Sequence, residues 1–267
     1  MKKILALILS LAMVLAFAAA CTPADPAETD PTPTAEVPSD EPEVTQDEET
    51  PDDVPADVLS YAEYMAAALD TEVTVETYVQ AKQSWWDNKA TVYTQDEDGA
   101  YFLYNMVCSE EDYSKLVTGT KIRVTGYKAE WSGEVEIVDA TFEIIDGSYI
   151  AEPADLTALL GDESLIAHQN EFFAMRGLTV ETSVEGEEVA FLYNWDGSGE
   201  EGSDLYFNVS LDGTTYTFTV ESYLCDSSTE VYSAVKNLKV GDTIDVEGFL
   251  YWYEGVNPHI TAVTAAA

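Results

Sequence analysis

Two segments of this 267-residue chain repeat one pattern at a constant offset of 122 residues. Leu116 begins LVTGTKIRVTGYKAEWSG and Leu238 begins LKVGDTIDVEGFLYWYEG. Gly119 matches Gly241, Ile122 matches Ile244, Val124 matches Val246 and Gly126 matches Gly248. The shared pattern is L-x-x-G-x-x-I-x-V-x-G-aromatic. Its first glycine makes a turn, and apolar residues at every second position then give one buried face of a strand. Its second glycine falls inside the strand pattern, which predicts a bulge or a sharp bend. A chain with two such copies folds into two similar units.

The residues around each copy extend the unit. Upstream of the first, Ser109 with Asp112 three residues later opens a short helix. STEVYSAVKNL from Ser228 predicts its counterpart. Further upstream, Asp98-Gly99 and Asp212-Gly213 close hairpins between alternating strands. The final strands are expected at 135–145 and 259–264. Each unit reads strand, strand, Asp-Gly turn, strand, short helix, glycine-led strand, final strand. This order resembles the OB-fold, a five-stranded Greek-key barrel with a helix between strands three and four. The resemblance covers about residues 72–146 and 170–264. The expected fold is therefore mainly β, with two tandem OB-like barrels and short accessory helices. The first domain spans 57–150 and the second 151–267. Residues 56–69 predict a helix with Val58, Tyr61, Met65 and Leu69 along one stripe, and 153–167 predict another. Both would plug barrel ends.

The N-terminus predicts an address. Lys2 and Lys3 precede an uncharged apolar run, residues 4–20, and Cys21 follows. This resembles a bacterial lipoprotein signal, which implies removal of residues 1–20, lipidation of Cys21 and anchoring on the extracytoplasmic face of the cell membrane. An ordinary signal peptide or an uncleaved anchor are the alternatives. Residues 22–57 hold 13 Asp/Glu, no Lys or Arg, and 8 of the 10 prolines. Such a stretch cannot bury enough apolar surface to fold, and predicts a disordered, extended acidic tether over 21–56. Cys108 and Cys225 remain as a disulfide or as two buried thiols at similar places in the two units.

Charge narrows the partners. Residues 58–267 carry 38 acidic against 9 basic residues, a field that repels phosphate backbones. Six of the nine bases fall in the first unit, so single-stranded nucleic acid is an alternative there only. No nucleophile–base set or phosphate loop is present, so the chain is not expected to be an enzyme. No cofactor is expected either. The weak exception is Ca²⁺ in the inserted loop of the second unit, where Asp196, Glu200, Glu201 and Asp204 offer oxygen ligands. A solvated loop is the alternative reading.

Aromatic residues are the remaining candidates. QSWWDNKATVYTQDEDGAYFLYNM spans Gln83 to Met106. Neighbours in a strand point to opposite faces, so Trp85 and Trp86 cannot both enter the core unless they sit in a loop. Trp85, Trp86, Tyr93, Trp131 and Tyr253 are the candidate ligand-binding residues. The reading is a non-catalytic, membrane-tethered extracellular binding protein for a glycan, a cell-wall fragment or a protein. A scaffold within a cell-envelope assembly is the alternative.

Overall fold

The computed structural model describes residues 57–266. The signal segment, Cys21 and the acidic tether lie outside the described residues. The described residues form one compact unit that contains both barrels.

Helix α1 (Tyr61–Ala66) opens the first half. Strands β1 (Glu72–Lys82), β2 (Lys89–Gln95) and β3 (Ala100–Val107) follow, then helix α2 (Glu110–Lys115), β4 (Thr120–Trp131) and β5 (Glu134–Ser148). The strands close in the order β1-β2-β3-β5-β4. Only β3 with β5 is parallel. In the second half, β6 (Ala154–Asp155) precedes β7 (Phe172–Glu181), β8 (Phe191–Tyr193), β9 (Leu205–Leu211) and β10 (Thr214–Val220). Helix α3 (Glu230–Lys236), β11 (Thr243–Phe249) and β12 (His259–Ala265) complete it. The run β7-β11-β12-β10-β9 closes through a β7–β9 pairing, with β6 and β8 added at its margins. Strand for strand, the two circuits are the same. Both are five-stranded OB-like barrels, as the repeat predicts.

The repeated pattern builds the barrel walls. Ile122, Val124, Ile244 and Val246 are buried in their respective cores. The inner glycines mark breaks in register, between Thr125 and Tyr127 in the β4–β5 pair and between Glu247 and Gly248 in the β11–β12 pair. They are glycine because the facing strand comes too close for a side chain. A Cβ on Gly126 would stand 2.8 Å from the Val138 carbonyl oxygen and 2.9 Å from the Ala140 Cβ. On Gly248 it would overlap the His259 carbonyl.

Three local expectations are corrected. The helix over 56–69 shrinks to six residues, with Tyr64 as its buried side chain while Met65 and Leu69 are exposed. Its C-terminal carbonyls on Tyr64, Met65 and Ala67 accept hydrogen bonds from the Lys128 ammonium, which ends it there. The helix over 153–167 is β6 followed by two 3₁₀ turns, Thr157–Leu159 and Glu163–His168. The Asp155 carboxylate holds Thr157 by its N–H and its hydroxyl, and Gly161 turns through φ +90°. Asp212-Gly213 forms the two-residue hairpin turn, both residues having positive φ. Asp98-Gly99 does not. There the Asp96 carboxylate accepts the N–H groups of Asp98 and Gly99 and makes a four-residue loop. Cys108 and Cys225 are free, buried thiols.

Replacing Gly126 by Val should cost about 2–3 kcal/mol, since β5 must move off β4 to admit the side chain. Urea unfolding checks this. An unchanged midpoint would mean that the strands separate freely at the bulge.

Candidate functional site

The outer surfaces of β2 and β3 form the face through which OB barrels commonly take ligands. In the first barrel most of this face is covered by the second barrel. Tyr93 of β2 stacks on Phe249 with ring centroids 4.5 Å apart, and its hydroxyl shares a 2.8 Å hydrogen bond with His259 Nδ1. Phe102 of β3 lies against Tyr93 at 4.9 Å and meets Tyr251 edge-on at 5.3 Å. Tyr93, Phe102 and Phe249 form a buried cluster of their own, flanked by Phe172 and Tyr251. Tyr93 is thus corrected from a candidate surface residue to the centre of the seam. Burial alone drives the His259 pKa down from 6.5 to about 3, so the imidazole is neutral at physiological pH.

The seam also holds carboxyls. Glu134 opens β5 and is fully buried. Its Oε2 accepts the Trp252 N–H at 2.9 Å. Its Oε1 has no partner, and neither does the buried amide oxygen of Asn170. Desolvation raises the Glu134 pKa from 4.5 to about 8, against the pull of the Asn170 amide and the Trp252 N–H. Desolvation likewise raises Glu136 and Glu221 to about 7. Protonation of Glu134 avoids leaving an uncompensated charge where its buried Oε1 has no donor.

Beyond the seam lies an open cleft of about 480 Å³, lined from both barrels. Its first wall is the tip of the β1–β2 connection. Trp86 and Lys89 pair across Asp87 and Asn88, both with positive φ. That tight turn settles the tryptophan pair. The Trp85 indole N–H donates to the Cys108 carbonyl at 2.9 Å and anchors the turn, while Trp86 projects outward, 75% exposed. The floor carries Tyr104 of β3, 45% exposed, with Asn105 beside it. The opposite wall is Tyr223, 61% exposed. Its turn is fixed by the Glu221 carboxylate, which accepts the N–H groups of Tyr223 and Leu224, and by Ser84, whose N–H donates to the Tyr223 carbonyl at 2.6 Å.

Trp131 and Tyr253 are exposed but line another place. They flank two hairpin tips that dock where the Glu254 N–H donates to the Ser132 carbonyl at 2.7 Å. The four acidic residues of the second-barrel loop do not converge. Asp196 accepts from the Ser198 N–H, Glu201 from Tyr193 and Lys236, and Asp204 from the Ser222 N–H. Among the described residues no group of three His, Cys, Asp or Glu side chains could hold a metal ion. Sequence reasoning missed Tyr223. Nothing in its neighbourhood marks it, because it reaches the cleft only through docking of the two barrels. Tyr104 shares its strand parity with Phe102 and the fully buried Met106, so alternation alone does not mark it as exposed.

The fold and the cleft define a tandem OB-like protein with an aromatic surface site. No protein-family model matches the chain. No curated protein matches it either. Solved structures that resemble it include the Ifi202 HINa domain in complex with a 20 bp double-stranded DNA, at 10% identity and a TM-score of 0.32, covering 75% of this chain and 99% of that one. A murine DNA-binding protein bound with double-stranded DNA has 10% identity and a TM-score of 0.34, covering 73% and 96%. A replication protein A heterotrimer bound to single-stranded DNA has 12% identity and a TM-score of 0.29, covering 74% and 51%. Likenesses this distant carry no argument about what this chain binds.

The buried carboxyls make stability depend on pH with a definite sign. Glu134 keeps in the folded chain a proton that the unfolded chain releases above about pH 4.5. Its contribution is therefore lost as pH rises from about 4.5 to about 8, and Glu136 and Glu221 act in the same direction. His259 opposes them, weakening the fold as pH falls from 6.5 towards 3. Glu134→Gln should stabilise the protein at about pH 8.5 by on the order of 2–4 kcal/mol and do little near pH 5. Urea midpoints across that range check it. Equal slopes in the two proteins would place the proton elsewhere.

Proposed function

We propose that this chain is a non-catalytic binding protein, held outside the cell by a lipid on Cys21, whose inter-barrel cleft takes a neutral saccharide. The observation that carries the reading is the convergence of Trp86, Tyr104 and Tyr223, three exposed rings from both barrels, around a cleft lined by no carboxylate. Large exposed aromatic surface gathered in one place marks a binding site rather than scattered surface residues. Aromatic faces suit the apolar faces of sugar rings. The amides of Gln83 and Asn105 and the hydroxyls of Ser84 and Thr91 suit their hydroxyl groups. The order of Lys2, Lys3, the apolar run and Cys21 supports the location.

A second reading, single-stranded nucleic acid, is favoured by Lys89, which lines the same cleft and makes no ion pair among the described residues. Stacking bases on aromatics beside a cation is how sequence-tolerant single-strand sites work. The other bases of the first barrel are engaged internally. Lys115 pairs with Glu111 and Asp112, Lys121 with Glu76, and Arg123 with Glu76 and Glu143. Lys82 and Lys128 donate to backbone carbonyls. One available cation within an acidic field favours the neutral ligand.

Isothermal titration of the mature chain with soluble neutral oligosaccharides, and with single-stranded oligothymidylate, separates the two. The expected result is saccharide binding that is insensitive to salt and weakened about tenfold or more by Trp86→Ala, the loss of one stacked ring. Tight oligothymidylate binding that falls steeply with salt would replace this reading with the second. Specific protein neighbours on intact cells, with no binding of either probe, would favour the scaffold.

A further inference from the structure

Most of the first barrel's strand face is covered by its neighbour, whereas the corresponding face of the second barrel is exposed or half-exposed over much of its length. On the outer surface of β9 and β10, three cross-strand pairs lie in register: Tyr206 with Thr219, Asn208 with Thr217 and Ser210 with Thr215. Residues two apart along a strand share a face. Thr219 is buried with its hydroxyl on the Asn257 amide oxygen, and the other five side chains line one surface. None of these five is a carboxylate or a cation, in a folded part with 38 acidic and 9 basic residues. The one carboxylate against them is Glu181 of β7, opposite Asn208, which accepts the Ser210 hydroxyl at 2.6 Å. Charged side chains are the ordinary means of keeping an exposed strand surface soluble and unpaired. A strip of hydroxyls and an amide here needs another reason.

Trp195 stands at the edge of this strip, 75% exposed. It follows β8, the extra strand that pairs with β9 in this barrel alone. With Ser183, Leu192, Tyr206, Asn208 and Thr217 it encloses a cleft of about 330 Å³. The loop beyond it is fastened at several points. Its Asn194 N–H donates to the Asp204 carbonyl at 2.9 Å and the Gly202 N–H to the Tyr232 hydroxyl at 2.9 Å. The Tyr232 hydroxyl in turn donates to the Ser203 carbonyl at 2.8 Å. Tyr193 and Lys236 both donate to Glu201. A loop tied to helix α3 in this way presents Trp195 in a set position and does not have to be ordered by the ligand. The Thr217 hydroxyl donates to the Asn208 amide oxygen at 2.8 Å, and Asn208 Nδ2 donates to the Thr182 carbonyl at 3.0 Å. That leaves the Asn208 amide oriented, with hydrogen-bonding capacity facing outward.

From this lining we propose a second, separate neutral-saccharide site on the second barrel, with Trp195 and Tyr206 as its ring platforms and Asn208 and Thr217 as its hydroxyl partners. Only the ligand class rests on the reading of the inter-barrel cleft. The lining, which lacks even the one lysine of that cleft, points to an uncharged polyhydroxyl ligand independently. The two sites are mechanically joined. The Ser222 N–H donates to Asp204, so the loop bearing Trp195 and the turn bearing Tyr223 share a hydrogen bond at 2.8 Å. A long saccharide engaging both gains avidity from the second contact without any increase in the affinity of either.

The test compares wild type, Trp86→Ala, Trp195→Ala and the double variant of the mature chain, titrated with cello-, xylo-, manno- and malto-oligosaccharides. Each is also run by affinity electrophoresis through the parent polysaccharides. Thr217→Glu, a change at an exposed position that places a charge in the second cleft, is a fourth variant. The expected result is two equivalents for wild type, one for each single tryptophan variant, none for the double variant and one for Thr217→Glu. Retardation by polymer should fall about ten- to a hundredfold in each single variant. Thermal midpoints matching wild type confirm folding, as expected for exposed positions. If Trp195→Ala and Thr217→Glu bind as wild type while Trp86→Ala loses its equivalent, the second site is overturned and the inter-barrel cleft stands. If only Trp86→Ala is silent, the reverse holds. Wild type that binds none of the sugars overturns the ligand class for both.

Discussion

The stacked pair Tyr93 and Phe249, with His259 hydrogen-bonded to the tyrosine, is the contact on which the arrangement of the molecule depends. It fixes one barrel across the strand face of the other. A face that would otherwise be available to ligands becomes core. The open cleft is then displaced to the margin of that contact, where the Trp86 turn and the Tyr223 turn meet. Neither barrel alone has this cleft. Each contributes one wall.

The seam is unusual in what it buries. Around its aromatic rings sit Glu134, Glu136, Asn170, Gln169 and a neutral histidine. Several of their polar atoms are hydrogen-bonded across the junction. The Gln169 amide accepts the Val135 N–H and donates to the Gly133 carbonyl. Polar networks of this kind add little net stability but penalise every misaligned alternative, because a shift strands a buried donor or acceptor. The rings supply the area, and the amides and carboxyls set the alignment.

Much of this was legible in the sequence. The glycine-led strands, the bulges at Gly126 and Gly248, the short helices after strand three and the barrel circuit all follow from local periodicity and turn chemistry. What was not legible arises from contacts distant along the chain. The expected helix over 56–69 is cut short by Lys128, more than sixty residues on. Asp98-Gly99 reads as a tight turn but is a wider loop, because the Asp96 carboxylate competes for its N–H groups. Tyr93 reads as a surface aromatic by alternation, and alternation is right about its direction. It cannot say that another barrel lies on that side. For the same reason one tryptophan of the Trp85–Trp86 pair was recoverable as a surface residue, though not which one, and Tyr223 was not recoverable.

The order in which the seam's two halves are made has its own consequence. Tyr93 and Phe102 are synthesised well before Phe249, Tyr251 and His259, which follow them by more than 140 residues. The first barrel can close its own circuit as soon as β5 exists, but its strand face then presents two large rings to water. A chain stopped between the barrels would carry a sticky aromatic surface and an uncovered strand pair, a ready nucleus for association with its own copies. Completion of the second barrel is therefore the step that renders the first one inert. The two repeats look like duplicates of one module, yet the later copy covers a face that the earlier one would otherwise expose.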